Sequence, residues 1–238
     1  MINIRDDKGY NQGFRQTPAM VVRTEKRAEY MLGLMDRKEN GSVLEIGCGR
    51  GEIAHHIASR TKNQVLGTDI CIPFIEEARS KYTLSNLQFE VLDFNNPADI
   101  RNRKFDYIVG NGILHHLYNN LDEAFQSFRD LLNPNGKIIF LEPNLLNPYC
   151  WLIFDTTPFF RKLAKLEPTE MAFTKTFIQN KLQKAGFSEI LVEYKDFLLP
   201  VVPSFLIKPS IVLGRVLEQT PLLKTMSQSL FISAAKNV

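Results

Sequence analysis

Cysteine is scarce in this 238-residue chain: Cys48, Cys71 and Cys150 lie far apart and never form a C-x-x-C pair. This excludes a disulfide framework, gives no zinc spacing, and fits a reducing cytoplasm. No apolar segment of secretory type follows Met1-Ile2-Asn3-Ile4-Arg5, so no signal peptide is expected. Long hydrophobic runs are missing too. The best candidate, Phe197 to Leu217, is interrupted by Pro200, Pro203, Lys208, Pro209 and Arg215 and should not span a bilayer. Charge of one sign is nearly absent: 29 basic against 26 acidic residues leave a net +3, too little to announce a nucleic-acid partner. The 44% apolar and 23% charged content is that of an ordinary folded protein, which excludes disorder.

What is present is an alternation of short apolar runs with helix-period segments between residues 42 and 142, the pattern of βα units feeding a parallel sheet. Strands are expected at Val43–Ile46, Gln64–Thr68, Leu87–Leu92, Phe105–Val109 and Lys137–Leu141. Leu121, Ala124, Phe125, Phe128, Leu131 and Leu132 mark a strongly amphipathic helix, closed by the turn Asn133-Pro134-Asn135-Gly136. Helices are expected near Val21–Leu34 and over Thr176–Ala185, and late strands at Phe187–Leu199 and Ser229–Ala235. We read one domain, residues 1–238, with an N-terminal lid (1–41), a ligand-binding core (42–142) and two apolar cap insertions (143–175 and 200–228).

The first strand runs into Glu45-Ile46-Gly47-Cys48-Gly49-Arg50-Gly51 and then a helix. Glycines at such a turn let a ligand approach the backbone closely. The third glycine of a dinucleotide fingerprint would fall on Glu52, and no Gly-Lys-Ser/Thr closes a phosphate loop. Glu45, Asp69 and Asp93 end the first three strands at intervals of 24 residues, so their side chains should border one crevice at the carboxyl edge of the sheet. A pyrophosphate would be repelled there. A ligand with hydroxyls, an amino group and a positive centre, such as S-adenosylmethionine, suits it.

Taken together, these segments resemble the class I S-adenosylmethionine-dependent methyltransferases. Val43 to Gly51 is similar to the family's first motif, Gly67-Thr68-Asp69-Ile70 to the second, Leu92-Asp93-Phe94 to the third. Phe105 to Val109 followed by Leu114-His115-His116-Leu117 resembles the fourth, and Leu132 to Lys137 the turn before strand five. The resemblance implies an α/β, Rossmann-like, doubly wound sheet of seven strands whose last strand is antiparallel. It implies S-adenosyl-L-methionine as cofactor, with S-adenosyl-L-homocysteine as product. Gly47, Cys48 and Gly49 would hold the methionine moiety near Glu45, and Asp69 the ribose hydroxyls. Ile70 would pack on adenine, Asp93 and the Phe94 backbone would take the adenine amine, and the Gly110-Asn111 turn would meet the ammonium group.

His115 and His116 follow the fourth strand, where one of them could take a proton from a hydroxyl acceptor; the alternative is that one packs and the other faces solvent. Tyr10, with Phe14 and Arg15, could close over the site. His55 and His56 read as ordinary helix residues, Cys48 and Cys71 as packing, and no metal is expected because no carboxylate stands at ligand spacing from the histidine pairs. Asn147-Pro148-Tyr149 mimics a base-amine methyltransferase element but comes after the wrong strand. The cap segments, with Tyr149, Trp151, Phe154, Phe159 and Phe160 and with Arg161, Lys162, Lys165, Lys208 and Arg215, suggest an apolar acceptor pocket or, through 197–217, a peripheral membrane contact. The reading is a cytoplasmic methyltransferase acting on a small-molecule or lipid-linked acceptor through an oxygen, nitrogen or carbon nucleophile, with oxygen preferred, and with no nucleic-acid partner. A catalytically silent cofactor-binding protein of the same fold and an NAD-dependent oxidoreductase are the competing readings.

Overall fold

The computed structural model describes residues 17–35, 40–94, 100, 102–164, 166 and 170–237. Seven strands, β1 (Ser42–Ile46), β2 (Gln64–Asp69), β3 (Leu87–Val91), β4 (Phe105–Asn111), β5 (Leu132–Pro143), β6 (Phe187–Lys195) and β7 (Ser229–Lys236), form one sheet in the order β3-β2-β1-β4-β5-β7-β6. The first five run parallel, and β7 is antiparallel to both of its neighbours. This is the doubly wound α/β sheet that the βα alternation implies.

Successive strand residues point to opposite faces, and both faces are covered. Leu44, Ile46, Leu66, Ile108, Ile138 and Phe140 join one core with α4 (Leu121–Leu131) and α7 (Lys175–Lys184). Val43, Val65, Tyr107, Val109 and Ile139 join the other with α1 (Pro18–Leu34), α2 (Glu52–Arg60) and α3 (Ile72–Lys81). In α4 the spacing of Leu121, Ala124, Phe125, Phe128 and Leu131 keeps all five buried, and Phe128 stacks on Phe140 with ring centroids 5.4 Å apart. Burying one such phenylalanine contributes about 1.5–3 kcal/mol.

Several expected boundaries move, each for a local reason. Helix α1 starts at Pro18, not Val21, because the Thr17 hydroxyl accepts the Met20 N–H at 3.1 Å and proline suits the first turn. β5 starts at Leu132 rather than Lys137: the expected turn is absorbed as a bulge, with Asn135 at φ 61° and a register shift opposite Phe105 and Tyr107. β6 stops at Lys195 instead of Leu199, since Asp196 adopts φ 75°. The two cap insertions contain α5 (Pro148–Trp151), α6 (Pro158–Leu163) and α8 (Ser204–Gln219). Helix α8 continues through exposed Pro209, where water can replace the lost hydrogen bond. Among the described residues, no helix is long and apolar enough to cross a membrane.

Candidate active site

Strand register sets the site. Ile46 lies beside Thr68 on one side and Gly110 on the other, Asp69 beside Val91, and Asn111 beside Leu141. The residues that follow these positions therefore emerge level with one another at the carboxyl edge. The glycine loop leaves β1 with Gly47 at φ 66° and Gly49 at φ 53°. A side chain added at Gly49 would meet nothing within 4 Å, so this stretch of backbone faces open space. At Gly51, by contrast, a Cβ would stand 2.6 Å from the Phe89 ring, so that glycine serves the packing of α2 against the sheet.

The three expected carboxylates stand at or near the ends of β1, β2 and β3, each two residues further along than its neighbour, with different partners. Glu45 is buried, and its Oε2 has no hydrogen-bond partner among the described residues. Burial drives its pKa well above the usual carboxylate range, with Glu52 and Asp69 adding repulsion and the Ala54 N–H opposing them. Asp69 ties the loop to β2: its Oδ2 accepts the Gly49 N–H at 2.8 Å and its Oδ1 the Cys71 N–H at 2.9 Å. Asp93 is half-buried just past β3, while Ile70 beside Asp69 is exposed. The Phe94 ring turns inward onto Phe128, 5.1 Å away, leaving its backbone to the edge. Cys48 is buried, and desolvation with Glu45 nearby raises its thiol pKa far above normal, which suits packing rather than nucleophilic work.

Asn111 is placed at the expected turn, but its Oδ1 accepts from Arg27 Nη1 at 2.6 Å. The same guanidinium reaches Asp196 Oδ2 at 2.7 Å and Ser229 Oγ at 2.8 Å, and Arg23 Nε reaches Asp196 at 2.5 Å. Burial and neighbouring Arg27 lower the Arg23 pKa to about 10, so it stays charged. Burial alone would raise the Asp196 carboxyl, yet Arg27 and Arg23 together hold it below its usual value. Within the expected lid, residues Pro18–Leu34 thus form a helix anchored by buried ion pairs to Asp196 after β6 and by hydrogen bonds to Asn111 and Ser229 at the ends of β4 and β7. Tyr10, Phe14 and Arg15 lie outside the described residues, as does Lys165.

The histidine pair occupies a 3-10 helix, Leu114–Asn120, directly after β4. Ile113 packs within 2.7 Å of where a Gly47 side chain would begin, which presses this turn against the glycine loop. Glu142, at the end of β5, caps the helix. Its Oε1 accepts the N–H groups of Ile113 (2.9 Å) and Leu114 (2.7 Å), and its Oε2 accepts the His115 N–H (3.2 Å) and pairs with His115 Nδ1 (2.9 Å). A carboxylate can only accept, so His115 carries its proton on Nδ1 and presents the Nε2 lone pair. His116 Nδ1 lies 3.4 Å from Glu170 Oε1, and the two imidazole centroids are 4.2 Å apart. Burial and the neighbouring His115 ring push the His116 pKa down to about 3.

One possible ligand atom from each of His115, His116 and Glu170 falls within 4.8 Å of the others. The carboxylate that looked to be missing at ligand spacing is therefore supplied by the cap. That cap returns to β5 through the Leu145 N–H to Phe173 carbonyl bond of 2.8 Å, and sets the Phe154 ring edge-on to His115 at 6.3 Å. Asn147, in the motif set aside as a mimic, caps α5 and donates to the Met226 carbonyl at 2.6 Å, a structural task. His55 stacks on Tyr82 at 4.2 Å and His56 contacts Arg60, both away from this edge.

An orphaned buried carboxylate oxygen, an open glycine cradle and an exposed apolar side chain beside an acidic one fit a cationic adenosyl ligand rather than a pyrophosphate. The parallel sheet with its antiparallel β7 is the Rossmann-like fold of the class I S-adenosylmethionine-dependent methyltransferases. Residues 43–136 match the methyltransferase domain family, and this match supports a class I S-adenosylmethionine-dependent methyltransferase. Among proteins similar to it, the ribosomal RNA small subunit methyltransferase C of Haemophilus influenzae is 36% identical over 129 residues, covering 51% of this chain but only 38% of that protein. The fold matches a SAM-dependent methyltransferase from Archaeoglobus fulgidus at 18% identity and TM-score 0.64, over 91% of this chain and 94% of the other. It also matches phosphoethanolamine N-methyltransferase 2 of Haemonchus contortus, crystallised with S-adenosyl-L-methionine, at 18% identity and TM-score 0.63, over 90% of this chain and 52% of the other.

Proposed function

We propose that the protein transfers the methyl group of S-adenosylmethionine to an oxygen of a small-molecule or lipid-linked acceptor, within a single domain whose cap insertions select the acceptor. The observation that carries the reading is the His115–Glu142 pair held against the glycine loop. When bound, the cofactor supplies an electrophilic methyl on a sulfonium. Gly47 and Gly49 receive the methionine moiety beside the unpaired Glu45 oxygen, Asp69 the ribose, and Ile70 with Asp93 the adenine. Since Arg27 occupies the Asn111 side chain, only the backbone of that turn is offered to the ammonium group. His115 Nε2 would take the proton of an acceptor hydroxyl, and Glu142 holds the ring in the required tautomer. General-base assistance of this kind is worth on the order of 10²–10⁴ in rate, and alignment by the cap supplies more.

An RNA acceptor is the business of the Haemophilus relative by its name, but the match covers 38% of that protein, and the cap over this histidine pair is built from Phe154, Ala172 and Cys150. Thermal melts with S-adenosylmethionine, S-adenosylhomocysteine and NAD test the cofactor assignment. Both adenosyl ligands should stabilise the protein, and Asp69→Ala should weaken them by about 1 kcal/mol or more. A response to NAD alone would overturn it. Release of S-adenosylhomocysteine with hydroxyl acceptors separates an enzyme from a silent binding protein.

A further inference from the structure

Helix α8 is inverted relative to an ordinary surface helix. Its inner side is small: Ile207 packs with Ala19 and Leu198, and Gly214 lies against Phe197. Its outer side carries Phe205, Val212 and Val216, exposed by 77%, 61% and 57%, at spacings that place them on one face with Pro209. The chain on either side continues the pattern, with Val201 before the helix and Leu222, exposed by 83%, after it. Between Leu199 and Met226 the exposed charged side chains are Lys208, Arg215 and Lys224, all basic; the acidic Glu218 turns inward to accept the Asp196 N–H. The Asn147 bond to the Met226 carbonyl joins this surface to α5 and its exposed Trp151.

We propose that α8, the loops at its two ends and the Trp151 edge of the cap form a surface that lies on an anionic lipid membrane. Apolar side chains would enter the headgroup boundary while Lys208, Arg215 and Lys224 meet lipid phosphates. The sixteen-residue helix carries two cations and cannot span, so the contact is peripheral. The exposed basic side chains of α8 and the loop after it, Lys208, Arg215 and Lys224, match anionic headgroups better than they match a second copy of themselves, which they would repel. This deepens the reading above by bringing the cap, and the histidine pair beneath it, to a lipid-borne acceptor. It is tested by binding rather than turnover, so either can fail without the other.

Co-sedimentation of the full chain with phosphatidylcholine vesicles, and with vesicles containing about one-third phosphatidylglycerol, decides the matter. Binding should favour the anionic vesicles and fall with added salt. Trp151 is the single tryptophan, so its emission should shift to the blue on binding. The paired substitutions Val212→Glu with Val216→Glu, and Lys208→Glu with Arg215→Glu, should each reduce partitioning at least about tenfold with an unchanged melting profile, since all four side chains are exposed. Failure to bind anionic vesicles at low salt would overturn the proposal. So would a lipid-free dimer that the valine pair of substitutions dissolves. Bound protein with unshifted Trp151 emission would remove the cap edge from the surface.

Discussion

Glu142→Gln separates the two jobs assigned to this carboxylate. Oε1 receives two backbone amides, Ile113 at 2.9 Å and Leu114 at 2.7 Å, so the introduced carbonyl oxygen belongs there. The introduced NH₂ then falls where Oε2 was, facing the His115 N–H and His115 Nδ1, both of which donated to it. Nδ1 must give up its proton to accept from the amide, Nε2 becomes protonated, and the lone pair offered to the acceptor disappears. The turnover number should fall by 10²–10⁴, on the order of a general base's whole contribution, with little change in cofactor affinity. Loss of charge-assisted bonds in a fully buried setting should also cost about 2–4 kcal/mol of stability. Steady-state kinetics across pH with a hydroxyl acceptor, alongside melts with and without S-adenosylhomocysteine, read both effects. A variant that melts lower yet turns over at the wild-type rate would refute the base assignment and leave Glu142 as a helix cap alone.

Gly49→Ala and Gly51→Ala should fail in opposite ways. The first meets open space and carries only left-handed strain of about 1–2 kcal/mol, so it should mainly weaken the adenosyl ligand; the second adds overpacking on Phe89 and should cost about 2–5 kcal/mol with or without ligand. Equal behaviour in ligand-dependent melts would contradict the division of roles. His116 has a folded pKa of about 3, below its unfolded value, so the unfolded chain binds the extra proton and this group's stabilisation is complete above about pH 6.5 and lost as pH falls toward 3. The loss is on the order of 4 kcal/mol, and His116→Gln should flatten that part of the stability profile measured by denaturant titration. Prolonged chelation should leave turnover unchanged, because base work needs only His115 Nε2 while Nδ1 is committed to Glu142. Activity lost on chelation and restored by zinc would instead make His115, His116 and Glu170 metal ligands.

The parts of the site that were legible in the sequence are those built within one βα unit. A glycine loop, the strand before it and the acid at that strand's end are close along the chain, and parallel register then carries Glu45, Asp69 and Asp93 toward the same edge, each two residues further along than its neighbour. Glu142 obeys the same rule: it ends an apolar run, Ile138-Ile139-Phe140-Leu141, as Glu45 ends Val43-Leu44. Extending the strand-end argument to the fifth strand would have found it. Glu170 and Asp196 carried no such signal. Glu170 meets His116 only because the cap folds back onto β5, and Asp196 meets Arg27 across 169 residues of chain.

Those long-range pairs also explain why the edge of the sheet splits into two halves. On the β1–β3 side Glu45 keeps an oxygen with no hydrogen-bond partner among the described residues, and Asp69 binds loop amides. On the β4–β7 side buried charge is met by charge or by imidazole, Asp196 with Arg23 and Arg27, Glu142 with His115. A buried carboxylate oxygen left without a hydrogen-bond partner favours a cationic ligand on the first side. On the other, the carboxylate facing His115 Nδ1 fixes the tautomer of the ring, so that Nε2 is the nitrogen left to accept a proton.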